Sequence, residues 1–308
     1  MTELPLRKLQ ALFGDKLQEN VRMANYTTTR VGGPASGMIS VYTADEMRRT
    51  VKILWELDVP FRILGSGSNL LVSDSGYKGV MVHNRCHNIR IDTKREQPII
   101  FAESGANLGA VSRQASLRGV SGFEWANSIP GTVGGAVYGN AGAHGSDISK
   151  CMLVAQVITK DEGEQSLDGE GMGFQYRSSK FKRNGEEVVI LSASFSGIKV
   201  EPEVTQHLLE ELTEKRRQTQ PVGPSFGSTF KNPQGDHAGR LLEAAGMKGV
   251  TSGHASFSTV HANFILNDGE ATAQDYYRLI RLAQKTVKEQ FDVDLNLEVE
   301  LLGEFEDD

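Results

Sequence analysis

The stretch "IPGTVGGAVYGNAGAHG", residues 129–145, decides the fold, because its glycines let another group approach the backbone closely. Residues 105–145 hold 10 of the 33 glycines in the 308-residue chain. Since glycine has no Cβ, this enrichment indicates backbone that is packed against something. A bound ligand and a glycine-rich packing corner are both open interpretations of the stretch.

A second glycine-rich segment, "ILGSGSNLLV", occupies residues 63–72. Gly65 and Gly67 match the first two glycines of the dinucleotide-binding pattern G-x-G-x-x-G, but Leu70 stands at the third. That pattern should also open a helix, whereas a strand-like segment follows here, so a Rossmann site is not expected. What remains is a tight turn whose N–H groups from Gly65 to Asn69 suit an anion, or a simple hairpin turn.

The two glycine-rich loops together suit a long ligand that lies across the backbone. FAD fits this description, because its pyrophosphate requires N–H donors and its flat ring requires close backbone approach.

Composition limits the kinds of partner. The net charge is −6 and the isoelectric point is about 5.7, whereas a general nucleic-acid binder should show a basic face. No apolar run approaches the roughly 20 residues that span a bilayer. With only Cys86 and Cys151, no disulfide framework is expected. We expect a cytoplasmic protein that binds neither nucleic acid nor membrane.

Hydrophobic periodicity divides the chain into two regions. In the first, short strands such as "FRIL" and "GVMVHN" accompany helices predicted at residues 6–17, from Thr43 to about Glu56, where Glu46 completes a capping box, and at about 107–118. The glycine-dense segment is predicted to be a loop between strands. The second region begins with the glycine-free helix "PEVTQHLLEELTEKRRQ". It continues with a helix from Thr272, capped by Asp275, and the closing strand "LNLEVELLG". We place a domain boundary near residues 198–202.

One serine stands out in "PSFGSTFKNPQGDHAGR", residues 224–240. Ser228 has no nucleophile elbow around it, no phosphate-binding Walker pattern and no obvious base beside it. Its surroundings therefore do not predict a nucleophile.

Two charged residues are further candidates. Arg177, in "FQYRSSKFK", suits bidentate binding of a carboxylate, although a surface arginine is the simpler interpretation. Glu298 alternates with Leu297 and Val299, so it faces the opposite side of the predicted strand, where an exposed edge charge is also reasonable.

The histidines and cysteines do not match the spacing of a metal-binding motif. His83, Cys86 and His87 cluster, but no second group follows at zinc spacing, so no metal site is expected. The basic run at residues 215–217 is typical of a solvated helix end.

These segments together resemble the UDP-N-acetylenolpyruvoylglucosamine reductases, also called UDP-N-acetylmuramate dehydrogenases or the MurB family. The matching segments, in order, are "YTTTRVGGPA", "ILGSGSNLLVSD", "EWANSIPGTVGGAVYGNAGAHGSDIS", "YRSSKFK", "KRRQTQPVGPSFGSTFKNP", "AGRLLEAAGMKG", "HANFILN" and "LNLEVELLG". They extend from about residue 20 to residue 303. The chain resembles the shorter type of the family, without a long insertion before the third domain.

The resemblance implies an α+β fold. A two-subdomain FAD-binding unit of the vanillyl-alcohol-oxidase (PCMH) type would be followed by a smaller α+β substrate-binding domain. The corresponding prediction is an N-terminal helix and lead-in at 1–29, the FAD-binding unit at 30–198 and the substrate-binding domain at 199–308. The subdomains of the FAD-binding unit would cover about 30–93 and 94–198.

The resemblance also implies an activity and its cofactors. NADPH would reduce a non-covalent FAD, and the flavin would reduce the enolpyruvyl double bond of a nucleotide sugar in peptidoglycan synthesis. Arg177 would stabilise the substrate carboxylate, Ser228 would protonate the α-carbon and Glu298 would assist at the carboxylate. Lys231 and Asn232 would meet the diphosphate.

The implied flavin contacts come from both glycine-rich loops. They are Gly65, Ser66, Gly67, Ser68, Asn69, Ile129, Pro130, Gly131, Thr132, Gly134, Gly135, Asn140, Ala141 and Gly142.

Two positions depart from the family pattern. Ser66 stands where a third glycine is frequent, and Glu300 stands where arginine is more frequent. A carboxylate at Glu300 would raise the pKa of Glu298 if the two groups came close. A related FAD-dependent oxidase of an alcohol or a sugar is the alternative, and it would not require Ser228, Lys231 and Asn232 together.

Overall fold

The computed structural model describes residues 4–307, in which helices are interspersed with runs of consecutive strands. Residues 1–3 and 308, the ends of the predicted lead-in and of the predicted third domain, lie outside the described residues. The helices are α1 (Leu6–Phe13), α2 (Ala44–Glu56), α3 (Leu108–Ser116), α4 (Val133–Gly139), α5 (Gly169–Met172), α6 (Lys180–Asn184), α7 (Pro202–Thr219), α8 (Ala238–Ala244) and α9 (Ala273–Phe291).

The strands are short, and most of them are antiparallel. They are β1 (Leu17–Arg22), β2 (Pro34–Val41), β3 (Phe61–Leu64), β4 (Leu70–Val72), β5 (Tyr77–Asn84), β6 (Ile89–Asp92), β7 (Ile99–Glu103), β8 (Val120–Ser121), β9 (Gly142–Ala143), β10 (Ser146–Asp147), β11 (Met152–Thr159), β12 (Gly163–Leu167), β13 (Val188–Ser196), β14 (Ile198–Lys199), β15 (Thr251–Ser252), β16 (Ala255–Phe257), β17 (Ile265–Asn267) and β18 (Glu300–Leu302). A four-stranded sheet has the order β1-β2-β5-β3.

The chain divides into two compact units. The first unit comprises the residues up to Ile39, the segment Ser66–Met81 and the chain from Thr219 onward. The second unit comprises Ser40–Gly65 and Val82–Gln218. The domain boundary near residues 198–202 stays a prediction from the sequence.

The second unit contains a five-stranded antiparallel sheet of order β12-β11-β13-β7-β6. Helices α3 and α4 contribute Val111, Ala115, Val133 and Val137 to one apolar core with this sheet, and all four side chains are fully buried. The region with the denser glycines is therefore part of a packed core.

The first unit contains the three-stranded sheet β15-β16-β17 and the parallel pair β18-β4. Helix α9 begins with the capping box that the sequence predicts, because Thr272 Oγ1 accepts from Asp275 N and Asp275 Oδ2 accepts from Thr272 N. Its apolar stripe, which consists of Tyr276, Ile280, Ala283 and Val287 at helical spacing, is buried in the core of this unit.

The interpretation of residues 129–145 as a loop is wrong for its central part, where α4 lies. Thr132 is the N-cap of this helix, and Asn140 ends it in the left-handed conformation with φ 46°. Each glycine inside a helix costs roughly 1 kcal/mol relative to alanine, which is why the sequence disfavours a helix here. Burial of Val133, Ala136 and Val137 against the sheet outweighs that cost.

Most predicted elements are confirmed, but the closing strand is shorter than expected. Only Glu300–Leu302 forms β18, so Glu298 lies just before the strand in irregular backbone. No helix among residues 4–307 is long and apolar enough to cross a membrane. The same residues contain no group of histidine, cysteine or acidic side chains that could hold a metal ion.

Candidate functional site

Gly65, the first glycine of "ILGSGSNLLV", lies against the other glycine-rich stretch within the second unit. A Cβ on Gly65 would lie 2.5 Å from Thr132 Oγ1 and 3.0 Å from Thr132 Cγ2, which is closer than any side chain tolerates. Gly65 therefore has to be glycine for the loop after β3 to approach the segment that begins α4. These two segments are far apart in sequence, and only the fold brings them together.

The start of α4 is fixed by backbone hydrogen bonds to the turn after β7. Val133 N donates to Ala106 O at 2.9 Å, and Gly134 N donates to Ser104 O at 2.8 Å. A Cβ on Gly134 would lie 2.9 Å from Ser104 Cβ, so this glycine also permits a close approach. The N–H groups of residues 133 and 134 are thus used inside the protein.

Arg177 lies at the tip of a tight turn. Gln175 and Ser178 exchange two backbone hydrogen bonds, of 2.9 and 3.1 Å, and Arg177 has φ 52°. A non-glycine residue in this left-handed region costs roughly 1–2 kcal/mol, and such residues cluster at functional sites. Its guanidinium also lies 5.6 Å from the ring centroid of Tyr176.

Asn140 links this turn to the end of α4. Its Nδ2 donates to Gln175 O at 2.9 Å, and its Oδ1 accepts from Ser149 N at 3.0 Å. The residue is 3% exposed. The structure therefore uses both ends of this amide inside the second unit, although the resemblance implied a flavin contact.

A positive field surrounds Arg177. Burial lowers the pKa of Arg216 in α7, and the positive charge of Arg177 lowers it further. Burial also lowers the pKa of His144, with further contributions from Lys215 and Arg216. Arg216 is half-buried, so the interpretation of this helix end as fully solvated is wrong for that residue. The sequence gives no indication that Arg216 is partly buried, because α7 and the Arg177 turn come together only in the fold.

Ser228 and Glu298 lie on neighbouring segments of the first unit. Glu298 N donates to Thr229 O at 2.9 Å, and Phe230 pairs with Leu297 in an isolated antiparallel bridge. Gly227, just before Ser228, has φ 81°, a conformation that favours glycine. Ser228 and Glu298 are both half-buried.

The first glycine-rich loop reaches the same segment through Asn69. Its Nδ2 donates to Glu298 O at 3.0 Å, and its backbone O accepts from Glu300 N at 3.1 Å. β18 then pairs in parallel with β4, with Glu300 opposite Leu70. The effect of Glu300 on the Glu298 side chain stays a prediction.

Lys231 and Asn232 follow Phe230 in the same segment of the first unit. Lys231 N donates to Asn296 O at 2.8 Å, and Asn232 Oδ1 accepts from Ala238 N at 3.0 Å at the start of α8. The structure thus places Ser228, Lys231, Asn232 and Glu298 in the first unit. Arg177 belongs to the second unit with Gly65 and Thr132, and its convergence with Ser228 and Glu298 stays a prediction.

The α+β fold and its pair of glycine-rich loops define an FAD-binding protein, and the family profile described as "FAD binding domain" matches residues 35–166. The profile described as "UDP-N-acetylenolpyruvoylglucosamine reductase, C-terminal domain" matches residues 218–302. The chain is 39% identical over 300 residues to the UDP-N-acetylenolpyruvoylglucosamine reductase of Bacillus licheniformis, covering 97% of this chain and 98% of the relative. The chain belongs to the UDP-N-acetylenolpyruvoylglucosamine reductase family.

Other members of this family are similar to the chain over nearly its whole length. The reductase of Clostridium novyi is 37% identical over 301 residues, which is 97% of this chain and 96% of the relative. The crystal structure of the Thermus caldophilus enzyme, UDP-N-acetylenolpyruvylglucosamine reductase (MurB), is similar with a TM-score of 0.78 at 32% identity, covering 92% of this chain and 98% of that chain. The predictions of the α+β fold class, the family and the FAD cofactor are confirmed.

The residues present fit FAD. Because Gly65 has no side chain, the backbone after β3 lies directly against the Thr132 side chain, and both residues belong to the part that the FAD-binding profile matches. Burial raises the pKa of the Cys86 and Cys151 thiols to about 12, so neither cysteine is an activated thiol for covalent attachment.

Proposed function

We propose that the protein reduces the enolpyruvyl double bond of UDP-N-acetylglucosamine enolpyruvate to give UDP-N-acetylmuramate, a step of peptidoglycan precursor synthesis, with NADPH as electron donor. The observation that carries the proposal is the backbone pairing of Thr229 with Glu298 and of Phe230 with Leu297, which joins the segments that carry Ser228 and Glu298 within the part that the reductase profile matches. The partner is a nucleotide sugar, the place of action is the cytoplasm, and neither nucleic acid nor membrane takes part.

When bound, FAD supplies the electron transfer from NADPH to the β-carbon of the double bond. Both glycine-rich loops would hold this cofactor, through the backbone of residues 65–69, of residues 129–132, of Gly134 and Gly135, and of residues 140–142. The remaining chemistry belongs to side chains of this chain.

Arg177 stabilises the substrate carboxylate. Addition at the β-carbon leaves negative charge on the α-carbon and its carboxylate, and a planar guanidinium matches a carboxylate and stays charged. The tight turn from Gln175 to Ser178 limits the positions that this side chain can take. The nearby charge of Arg216 adds to the positive potential that an anionic substrate meets.

Ser228 gives the proton to the α-carbon. A hydroxyl is a weak acid at neutral pH, and general acids are best matched near the operating pH. The acceptor here is a strongly basic carbon, so a weak acid suffices when its position is fixed. Glu298, on the adjoining segment, assists at the carboxylate in its protonated or hydrogen-bonded form.

Lys231 and Asn232 bind the diphosphate. Lys231 provides a positive charge that suits phosphate. The amide oxygen of Asn232 already accepts from Ala238 N, so its Nδ2 is the donor that suits a phosphate oxygen.

The Ser228→Ala variant tests the proposal. Reduction of the flavin by NADPH should change little, whereas reoxidation of the flavin by the enolpyruvyl substrate should slow about 10²- to 10⁴-fold, the usual contribution of a general acid. Stopped-flow absorbance of the flavin measures both rates. Ser256→Ala, in β16 of the same unit, is the matched control and should leave both rates unchanged. An equal loss in both half-reactions of Ser228→Ala would contradict the proton-donor role.

An FAD-dependent oxidase of an alcohol or a sugar is the alternative function. The reductase profile over residues 218–302 favours the reductase. Bleaching of the flavin by an alcohol or a sugar, with no NADPH oxidation in the presence of the enolpyruvyl substrate, would reverse this choice.

A further inference from the structure

The segment that holds Ser228 has little regular strand pairing. Ser228 pairs with Phe264 on one side and Phe230 pairs with Leu297 on the other, each as an isolated bridge outside the strands. Two single bridges leave the exact position of such a segment weakly specified, because register in a sheet normally depends on several consecutive pairs. Another contact has to fix the backbone between these bridges.

Asn263 supplies that contact. Its Oδ1 accepts from Phe230 N at 2.9 Å, and its Nδ2 donates to Phe230 O at 2.8 Å. Its backbone O also accepts from Thr229 N at 2.8 Å. The side-chain amide therefore satisfies both backbone groups of one residue, as a strand neighbour would.

The opposite edge of the same segment holds Glu298. Glu298 N donates to Thr229 O at 2.9 Å, and Lys231 N donates to Asn296 O at 2.8 Å. Thr229 and Phe230, which form hydrogen bonds with Asn263, thus belong to the same segment that pairs with residues 296–298. A shift of the backbone at residues 229–230 would move Ser228 and Glu298 relative to each other.

Asn263 is itself held firmly. It is 3% exposed, and its N donates to His261 Nδ1 at 3.1 Å. The His261 ring in turn packs against Phe264, with 5.0 Å between the ring centroids. Since both ends of the amide and the backbone are used inside the unit, Asn263 is a rigid support and not a ligand contact.

We infer that Asn263 is a positioning residue, which sets the placement of Ser228 against Glu298 for protonation of the substrate. This inference rests on the proposed roles of Ser228 and Glu298. A general acid loses about 10²-fold in rate when it is misplaced by roughly 1 Å.

The Asn263→Asp variant is the test. It keeps the shape of the side chain and the acceptor for Phe230 N, but an ionised carboxylate cannot donate to Phe230 O. We expect reoxidation of the flavin by the enolpyruvyl substrate to slow up to about 10²-fold, with flavin reduction by NADPH nearly unchanged. The solvent deuterium isotope effect on reoxidation should rise, because proton transfer becomes more rate-limiting.

The variant also offers a rescue. Once protonated, the carboxyl group that Asn263→Asp introduces can donate to Phe230 O again. The reoxidation rate of the variant relative to wild type should therefore recover as the pH falls through the pKa of that carboxyl group.

Asn267→Asp is the matched control. Asn267 is also buried in the first unit, where its Nδ2 donates to Thr29 O at 2.9 Å and its Oδ1 accepts from Gly269 N at 2.7 Å. It should lower the thermal midpoint to a similar extent without a selective loss in reoxidation or a change in the isotope effect. If Asn263→Asp behaves like Asn267→Asp in all three measurements, Asn263 is structural only and the inference is overturned.

Ser228→Ala distinguishes a failure of the proposed role of Ser228 from a failure of the proposed role of Asn263. If Ser228→Ala does not slow reoxidation selectively, the proposed function of Ser228 fails. If Ser228→Ala does so and Asn263→Asp does not, only the inference on Asn263 fails. In the double variant, Asn263→Asp should add little to the loss of Ser228→Ala, since it acts through that serine.

Discussion

The Gly65→Ala substitution tests how closely the two glycine-rich loops approach. The added methyl group would lie 2.5 Å from Thr132 Oγ1, whereas ordinary contacts of a carbon atom begin near roughly 3.5 Å. The loop after β3 would have to move by about 1 Å to accommodate it. Overpacking of this kind costs about 1–3 kcal/mol.

If the loops separate to relieve this strain, the cost appears in FAD binding. A loss of about 1–3 kcal/mol corresponds to a Kd for FAD that is about 5- to 140-fold higher. Titration of the flavin-free protein with FAD, followed by flavin fluorescence, measures this Kd. Thermal unfolding of the flavin-free protein separates a local loss of binding from a general loss of stability.

Thr132→Ala should rescue Gly65→Ala, because it removes both Oγ1 and Cγ2 from the clash. Alone, Thr132→Ala should cost about 1 kcal/mol through loss of the α4 N-cap. The double variant should therefore bind FAD more tightly than the sum of the two single effects indicates. Gly139→Ala, where a Cβ would meet nothing within 4 Å, is the control and should leave the Kd unchanged.

Two results would contradict this prediction: FAD binding by Gly65→Ala as tight as that of wild type, or no recovery of binding when Thr132→Ala is added. Either result would mean that the two loops do not depend on this contact to hold the cofactor.

Two other substitutions probe single hydrogen bonds. Asn140→Asp removes the donor to Gln175 O, so we expect a less rigid turn at Arg177 and slower flavin reoxidation by the enolpyruvyl substrate. The Kd for FAD should stay unchanged. A higher Kd for FAD with unchanged reoxidation would instead make Asn140 a flavin contact. Burial lowers the pKa of His261, and its Nδ1 accepts from Asn263 N, so the folded state favours the neutral ring. This stabilisation is present above the unfolded pKa of 6.5 and is lost as the pH falls toward the folded pKa. His261→Asn keeps an acceptor without titrating, so its urea midpoint should fall less than that of wild type between about pH 7 and pH 5, and an equal fall would contradict the assignment.

Local signals in the sequence were sufficient for many of the elements. The capping box of Thr272 and Asp275 and the apolar stripe behind it predict α9 correctly, because a cap and a helical period act within a few residues of chain. The same holds for α2, where Thr43 Oγ1 accepts from Glu46 N. Family membership also followed from the sequence, since it depends on collinear motifs that need no coordinates.

Helix α4 is not predicted by the local sequence. Its glycines disfavour a helix, and only burial of Val133, Ala136 and Val137 in the core of the second unit makes one form. Similarly, the sequence predicts that Arg216 is a solvated residue at a helix end. Its burial near Arg177 depends on how α7 packs.

By itself the sequence determined the residue types at the candidate site, the family and the cofactor class. Only the tertiary structure decided that Gly65 contacts Thr132 and that the Asn263 amide forms hydrogen bonds with the backbone of Phe230, two residues after Ser228. The physical reason is that these contacts join segments separated by tens of residues. Their energies depend on distances of a few tenths of an ångström, which no local pattern of side chains encodes.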